Sequence, residues 1–322
     1  MIILGIESTA HTFGIGLIEV KNDQLKILAN FKDMYKPPSG WGIDPRKAQE
    51  HHFQISDELI KKSLEIAKPD LITYSAGPGL PPCLKVGLQK TKELAEKSNL
   101  PVIEVNHCIA HLEIGAKLSN FKDPAMLYVS GGNTQVIAFE SGKYRVFGET
   151  QDIGIGNLLD AFGRKANLDF PAGPKIEALA KEGKYIPLPY SVKGMDVNFS
   201  GIKTKLEKMI GKEKIEDLCY SLQETCFAML VEITERAMAH CQKKELILTG
   251  GVAANKRLQE MCEIMCKERE AKFFPVPLDL AGDQGVMIAW AGYLNRERAH
   301  QNYDFLDIYP RWRTDEVNIN YR

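Results

Sequence analysis

Apolar positions along the chain fall into short runs separated by turn residues. Ile2–Glu7 and Phe13–Val20 are strand-like runs on either side of a small polar turn, Ser8-Thr9-Ala10-His11-Thr12, and read as a β-hairpin. A polar linker with Pro37, Pro38 and Gly40 follows. From Pro45 to Ala67 the spacing becomes helical, with Ile55, Leu59 and Leu64 on one face. Leu71–Ser75 is a short buried strand that runs into Gly77-Pro78-Gly79-Leu80-Pro81-Pro82, a turn that brings backbone close to a neighbour. A helix over about Leu84–Ser98 and a strand over Pro101–Val105 follow. Asn106 is placed to cap a helix that begins at His107.

After Pro124 the pattern restarts. Met126–Ser130, the turn Gly131-Gly132-Asn133 and Thr134–Glu140 repeat the plan of strand, small-residue turn and strand. Two copies of one supersecondary plan point to an internal duplication. Helical spacing then dominates to about His240. Glu245–Thr249 is a strand ending in Gly250-Gly251-Val252-Ala253-Ala254-Asn255, with a helix from Lys256. Gly282-Asp283-Gln284-Gly285 opens the last long helix, Val286–Ala299. The polar tail Arg311–Arg322 is expected to lie along a surface.

A length of 322 residues suits two domains, each able to bury its own core. With Lys plus Arg at 41 and Asp plus Glu at 42, the chain has no general pull on nucleic acid, so phosphate contacts need a local patch or a partner. Lys193, Lys203, Lys205 and Lys208 are either such a patch or a solvated helix face. The odd count of seven Cys fits reduced thiols better than a disulfide framework. Cys262 and Cys266 lie one helical turn apart, as a metal pair or as two small apolar residues on a buried face. The first residues are apolar but interrupted by Glu7 and His11 and carry no basic lead, so neither a signal peptide nor a membrane helix is expected. The expectation is a cytoplasmic protein.

Glycine-rich turns between strands present backbone N–H groups at close range and can cradle anions. Three stand in order here: Glu7 to His11, Ser130 to Asn133, and Gly250 to Asn255. At the third, a helix N-terminus is expected to point at a bound group. His107 and His111, at i and i+4, project from one helix face and can chelate one metal, or serve as capping or core histidines. Zinc proteases need Glu directly after the first His; Cys108 stands there, which disfavours a metallopeptidase.

The ordered turns resemble those of the sugar-kinase, Hsp70 and actin superfamily. A closer likeness lies in NHCIAH (106–111), YVSGGNTQV (128–136), YRVFGETQDIGIGN (144–157), KGMDVNFSG (193–201) and GGVAANKRL (250–258). These strings resemble the tRNA threonylcarbamoyltransferase family of archaeal and eukaryotic type, the catalytic subunit of the KEOPS complex. The likeness covers essentially the whole chain.

The resemblance implies an α/β fold of two related actin-like ATPase lobes with a cleft between them. The lobes are expected at residues 1–122 and 123–293, with the tail 294–322 packing back on the first. It implies a metal site of His107, His111, Tyr128 and Asp283 holding iron or zinc, with Asp283 supplied by the second lobe. It implies that Tyr128, Val129, Ser130, Gly131, Gly132, Asp160, Gly173, Glu177 and Asn255 bind threonylcarbamoyl-AMP or another adenine nucleotide. Asp160 and Glu177 would hold the ribose, and Asn255 would face the adenine. Glu7, Ser8 and Thr9 would form a phosphate hairpin. His11 would either transfer a proton or act as a hydrogen-bonding partner.

The implied activity is transfer of the threonylcarbamoyl group to N6 of the adenosine next to the anticodon in tRNAs reading codons that begin with adenine. A separate synthase would make threonylcarbamoyl-AMP upstream. The implied partners are tRNA and KEOPS subunits, including a small protein kinase or ATPase and a dimerising helper, with no membrane. Alternatives are a small-molecule kinase or an ATP-gated binding module of the same superfamily; paired imidazoles argue against the kinase, being poor ligands for Mg²⁺. Three departures stand out: Gln284 after the ligand Asp, Ala172 where the family often has Gly, and Gly79-Leu80-Pro81-Pro82-Cys83, which is stiffer than the family's usual loop.

Overall fold

Two compact units make up the chain: Met1–Lys36, Ile43–Ile114 and Asp283–Arg322 in the first, Pro37–Gly42 and Gly115–Gly282 in the second. The computed structural model describes residues 1–38 and 41–321, so Gly40 of the expected linker lies outside the described residues, as does Arg322 of the tail.

In the first unit, β1 (Ile2–Glu7), β2 (Thr12–Lys21) and β3 (Gln24–Met34) form an antiparallel meander. Asn22 and Asp23 join β2 to β3 with φ of 50° and 58°, the paired left-handed geometry of a tight hairpin. Helix α1 (Pro45–Ile66) starts with Pro45 after Asp44, whose carboxylate accepts from the amides of Arg46 and Lys47. Then come β4 (Leu71–Gly77), α2 (Pro81–Ser98) and β5 (Val102–Asn106), with β4 parallel to both β1 and β5. The sheet order is β3-β2-β1-β4-β5. The fully buried row of α1 is Ala48, His52, Ser56, Ile60 and Ser63, whereas Ile55, Leu59 and Leu64 are only partly buried.

Helix α3 (His107–Ser119) carries the chain onward. In the second unit β6 (Ala125–Val129), β7 (Thr134–Glu140) and β8 (Lys143–Glu149) again form an antiparallel meander. Helices α4 (Ile155–Lys165) and α5 (Gly173–Ala180), the ribbon β9 (Val192–Lys193) and β10 (Asp196–Val197), α6 (Ser200–Met209) and α7 (Ile215–His240) follow. The unit is completed by β11 (Glu245–Thr249), α8 (Lys256–Glu268), β12 (Lys272–Pro275) and α9 (Leu278–Ala281). Its sheet order is β12-β11-β6-β7-β8, with β11 parallel to β6 and β12. Strand for strand and sense for sense this repeats the first sheet, the plan of actin-like ATPase lobes. Cys262 and Cys266 lie in the core beneath α8, and burial pushes the Cys266 thiol up to about 11 and the Cys262 thiol higher still.

The chain returns to the first unit at Asp283, so residues 283–293 belong to it and not to the expected second lobe. The cause is close backbone approach. Helix α10 (Gly285–Leu294) lies directly on β1 and β2, where a Cβ on Gly5 would strike the backbone of Gly285 and Ala289, and one on Gly16 that of Gly285 and Val286. The helix stops at Leu294, short of the expected Ala299, where Asn295 caps it through Nδ2 to the Ala291 carbonyl at 2.9 Å. Beyond it the tail follows the first sheet: the Tyr309 amide donates to the Ala76 carbonyl at 2.7 Å, and the Val102 amide to the His300 carbonyl at 2.9 Å. Among the described residues no helix is long and apolar enough to cross a membrane.

Candidate functional site

The first turn of α3 holds the richest chemistry. Asn106 Oδ1 accepts the Ile109 amide at 3.1 Å and so fixes where the helix begins, while its Nδ2 donates to the Trp312 carbonyl. His107 and His111 then share one face, their rings edge to face with centroids 4.7 Å apart. Asp283 meets them from just before α10, whose first turn is capped by Gln284 Oε1 accepting the Met287 amide at 3.0 Å. Gln284 therefore holds the helix end behind Asp283.

Asp283 Oδ1 lies 3.3 Å from His111 Nε2 and 3.5 Å from His107 Nε2. One ligand atom from each residue falls within 4.8 Å of the others. Two imidazoles and a carboxylate at that spacing fit one transition-metal ion. All three come from the first unit, so Asp283 is not a contribution of the second; the glycine-mediated seat of α10 on β1 and β2 is the reason. Tyr128 stands in the second unit, on β6, its hydroxyl 3.4 Å from Asn133 Nδ2.

Glu7 does different work from the phosphate contact expected of it. Its carboxylate is wholly buried, accepts the Thr9 amide at 2.7 Å and the Thr9 hydroxyl at 2.5 Å, and faces His107 Nδ1 at 2.9 Å. A carboxylate only accepts, so Nδ1 carries the proton and Nε2 is turned toward Asp283. Burial alone would lower the His107 pKa, but the Glu7 and Asp283 carboxylates outweigh it and hold the imidazolium up to about 9. His111 goes the other way, lowered by burial and by the neighbouring His107. Burial would raise Asp283, but the charge on His107 and the bond to His111 hold it well below the usual carboxylate range. Cys108, at the position of a protease's general base, is buried in the core.

The turn after β1 is tied at each step. The Ser8 amide donates to Ser75 Oγ at 3.0 Å. The Thr9 carbonyl accepts from the Leu80 amide at 2.7 Å, the Ala10 carbonyl meets His52 Nε2 at 3.1 Å, and the His11 carbonyl accepts from the Tyr35 amide at 2.7 Å. Pro81 and Pro82 open α2 directly after Leu80, and Gly79 is required because a Cβ there would press on Thr9. Three consecutive carbonyls are thus drawn into the protein, which removes the negative ends of these peptides from the path of an anion.

The second turn repeats this. The Ser130 and Gly131 carbonyls accept from the Gly156 and Asn157 amides at 3.1 and 2.9 Å, at the start of α4, and Ser130 Oγ accepts the Asn133 amide at 3.2 Å. Gly131 and Gly132 are exposed, and Val129 is buried at the end of β6.

At the third turn the expectation fails. A short 3-10 turn, Gly251–Ala254, separates β11 from α8. The first amides of α8 are satisfied internally: Lys256 by Glu177 Oε1 at 2.8 Å, Arg257 and Leu258 by Asn255 Oδ1 at 2.9 and 3.1 Å, and Gln259 by the Asn255 carbonyl. This helix N-terminus does not offer those donors to a ligand. Asn255 is a cap whose Nδ2 also donates to Gln223 Oε1 at 2.9 Å, which draws its amide away from the expected adenine contact. Asp160 Oδ1 accepts the Ala172 amide at 2.8 Å, just ahead of Gly173 at the first position of α5. The Ala172 methyl is buried against Gly163 of α4.

His52, which meets the Ala10 carbonyl, is not among the residues that the sequence motifs mark. The sequence signal is His51-His52, a histidine pair inside a helix whose buried row otherwise holds Ala48, Ser56, Ile60 and Ser63.

Comparison with known proteins gives a consistent set of relatives. The family described as TsaD, tRNA N6-adenosine threonylcarbamoyltransferase, matches residues 26–290. A protein of that name from Thermococcus kodakarensis is 52% identical, with 99% of each chain covered. One from Methanopyrus kandleri is 51% identical over 92% of this chain and 88% of its own. A probable bifunctional tRNA threonylcarbamoyladenosine biosynthesis protein from Methanocaldococcus jannaschii is 49% identical, and this chain spans 60% of it. Among solved structures, T. kodakarensis HypF aligns with a TM-score of 0.61 at 15% identity over 91% of this chain and 48% of that one. The Acidaminococcus fermentans (R)-2-hydroxyglutaryl-CoA dehydratase component A aligns at 0.55 and 14%, over 92% of this chain and all of its own. These two likenesses speak for the fold alone.

Proposed function

This chain belongs to the TsaD family of tRNA N6-adenosine threonylcarbamoyltransferases, and from that premise we propose that it transfers threonylcarbamoyl from threonylcarbamoyl-AMP to N6 of the adenosine next to the anticodon. The observation that carries the reading is the His107–His111–Asp283 group, both histidines buried, beside a turn whose carbonyls are withdrawn. A bound iron or zinc ion would act as a Lewis acid on the donor. Glu7 holds the Nδ1 proton of His107 and so keeps its Nε2 available as a ligand. We assign contact with phosphate or carbamoyl oxygens to the amides of Ala10, Gly131 and Gly132, since those of Ser8, Thr9, Ser130 and Asn133 are bonded within the protein. N6 attacks the carbamoyl carbon, the bond from that carbon to the phosphate oxygen breaks, AMP leaves, and His11 is our choice to accept the amine proton.

We assign partners in the same spirit: tRNA, an upstream synthase, and KEOPS subunits including a small kinase or ATPase and a dimerising helper, in the cytoplasm. The bifunctional relatives, in which a matching region is part of a longer chain, support a partner acting beside this one. The test is direct. Purified chain with metal, threonylcarbamoyl-AMP, tRNA and the KEOPS partners should yield N6-threonylcarbamoyladenosine by nucleoside mass spectrometry. Absence of product with wild type, or undiminished product with His111→Ala, sinks the reading.

A further inference from the structure

We propose that His52, held as the Nε2–H tautomer, is a positioning residue that sets the Ala10–His11 backbone through a hydrogen bond to the Ala10 carbonyl. The proposal rests on the transferase reading for its activity arm only.

His52 is wholly buried in the centre of the inner row of α1, where the periodicity calls for an apolar residue. Its ring stands 5.5 Å from that of Phe13, just beyond the turn. A carbonyl only accepts, so the 3.1 Å approach of Nε2 to the Ala10 oxygen requires the proton on Nε2. Burial, with the neighbouring His51, lowers the His52 pKa to about 4, so the ring is neutral near pH 7 and Nδ1 bears a lone pair. His51 Nδ1 lies 3.4 Å from that lone pair, and its Nε2 lies 3.0 Å from Asp33 Oδ1.

The three withdrawn carbonyls of the turn are held by different means. The Thr9 and His11 carbonyls are bonded by the backbone amides of Leu80 and Tyr35, donors that do not depend on the side chain there unless it is proline. Ala10 is bonded by a side chain, that of His52. Without that donor the Ala10 peptide can rotate and bring its oxygen toward the anion side of the turn, displacing His11 with it. A displacement near 1 Å at a reacting site costs on the order of a hundredfold in rate.

The experiment has two arms. In wild type with ¹⁵N-labelled histidine, the His52 imidazole should show a protonated Nε2 and a bare Nδ1 between pH 6 and 8; a proton on Nδ1 overturns the proposal. Among variants, His52→Phe fills the space without a donor, while His52→Gln keeps an amide donor at similar reach. Per bound metal, His52→Phe should lose transfer about tenfold or more in kcat, and His52→Gln should retain it within about threefold. Full activity in His52→Phe, or equal loss in both variants in step with lowered thermal stability, overturns the proposal. If wild type itself shows no transfer, the functional reading fails, and the ¹⁵N spectra still decide the tautomer.

Discussion

His107 Nδ1 and Glu7 Oε2 lie 2.9 Å apart, both buried, on elements 100 residues apart in sequence. The pair fixes the tautomer of a candidate metal-ligating histidine from behind. Glu7→Gln keeps the shape but replaces the carboxylate by an amide that matches the Nδ1 proton less strongly. Metal affinity should fall roughly 10–100-fold, the usual cost of losing such a support. Competitive titration against a zinc chelator measures it, with circular dichroism as the control for folding. Unchanged affinity would remove Glu7 from the site.

The histidines also set a pH profile for metal-free protein. The folded pKa of His107 is raised from 6.5 to about 9, so its contribution to stability is complete below about 6.5 and is lost as pH rises through 9. His52 is lowered from 6.5 to about 4, so its neutral form is favoured by folding, and stability falls as pH drops through that window. The thermal midpoint should therefore peak near pH 6.5 and decline on the alkaline side by roughly 2–4 °C per pH unit. Metal reverses the alkaline limb, because binding displaces the His107 proton and tightens as pH rises toward 9. Scanning calorimetry with and without zinc tests both signs.

Much of this was legible in advance. The repeated strand–turn–strand plan and the spacing of His107 and His111 carried the duplication and the paired imidazoles, because local periodicity and i, i+4 geometry are written in adjacent residues. The strands β3, β8 and β12 were missed, and all three are sheet edges. Edge strands such as Gln24–Met34 present polar residues on their open side and lose the alternation that marks a strand. On α1, Ile55, Leu59 and Leu64 do pack against the core, but the most buried row runs through Ala48, His52, Ser56, Ile60 and Ser63, which apolar spacing alone does not mark. The unit that holds Asp283 was misjudged because that depends on backbone contact at Gly5 and Gly16, which apolar patterning does not record.

That contact yields its own prediction. Gly16→Ala would drive a methyl into the backbone of Gly285 and Val286, next to the candidate ligand Asp283. Overpacking of this kind costs about 1–3 kcal/mol and shifts backbone. Metal affinity should drop together with thermal stability, whereas Gly132→Ala, with open space around it, should change neither. Loss of stability with intact metal binding would separate α10 from the site.

The lysines of α6 and the following turn invite a test of tRNA binding. Lys205, Lys208 and Lys212 are exposed. If they meet phosphate, Lys205→Glu with Lys208→Glu should weaken tRNA binding and reduce its salt slope by about one unit for each phosphate left unneutralised. Filter binding across a salt series reads this. An unchanged slope assigns the stretch to a solvated face.

Glu177 decides between two roles for the α5–α8 region. Its Oε1 accepts the Lys256 amide at 2.8 Å, so one oxygen serves as a cap for α8. The remaining oxygen is the one we assign to a ribose hydroxyl. Glu177→Ala removes both; loss of a cap costs about 1 kcal/mol of stability. Loss of a hydrogen bond to a charged group costs about 1.5–3 kcal/mol, which is tenfold or more in nucleotide affinity. Glu177→Gln keeps a carbonyl oxygen for the cap but gives up the charge toward the ribose. It should retain stability while still weakening AMP binding. Calorimetric titration of AMP and thermal melts of the three proteins separate the outcomes. Equal AMP affinity in all three, with stability lost only in Glu177→Ala, makes Glu177 a cap and nothing more. Metal content should stay constant throughout, because His107, His111 and Asp283 belong to the other unit.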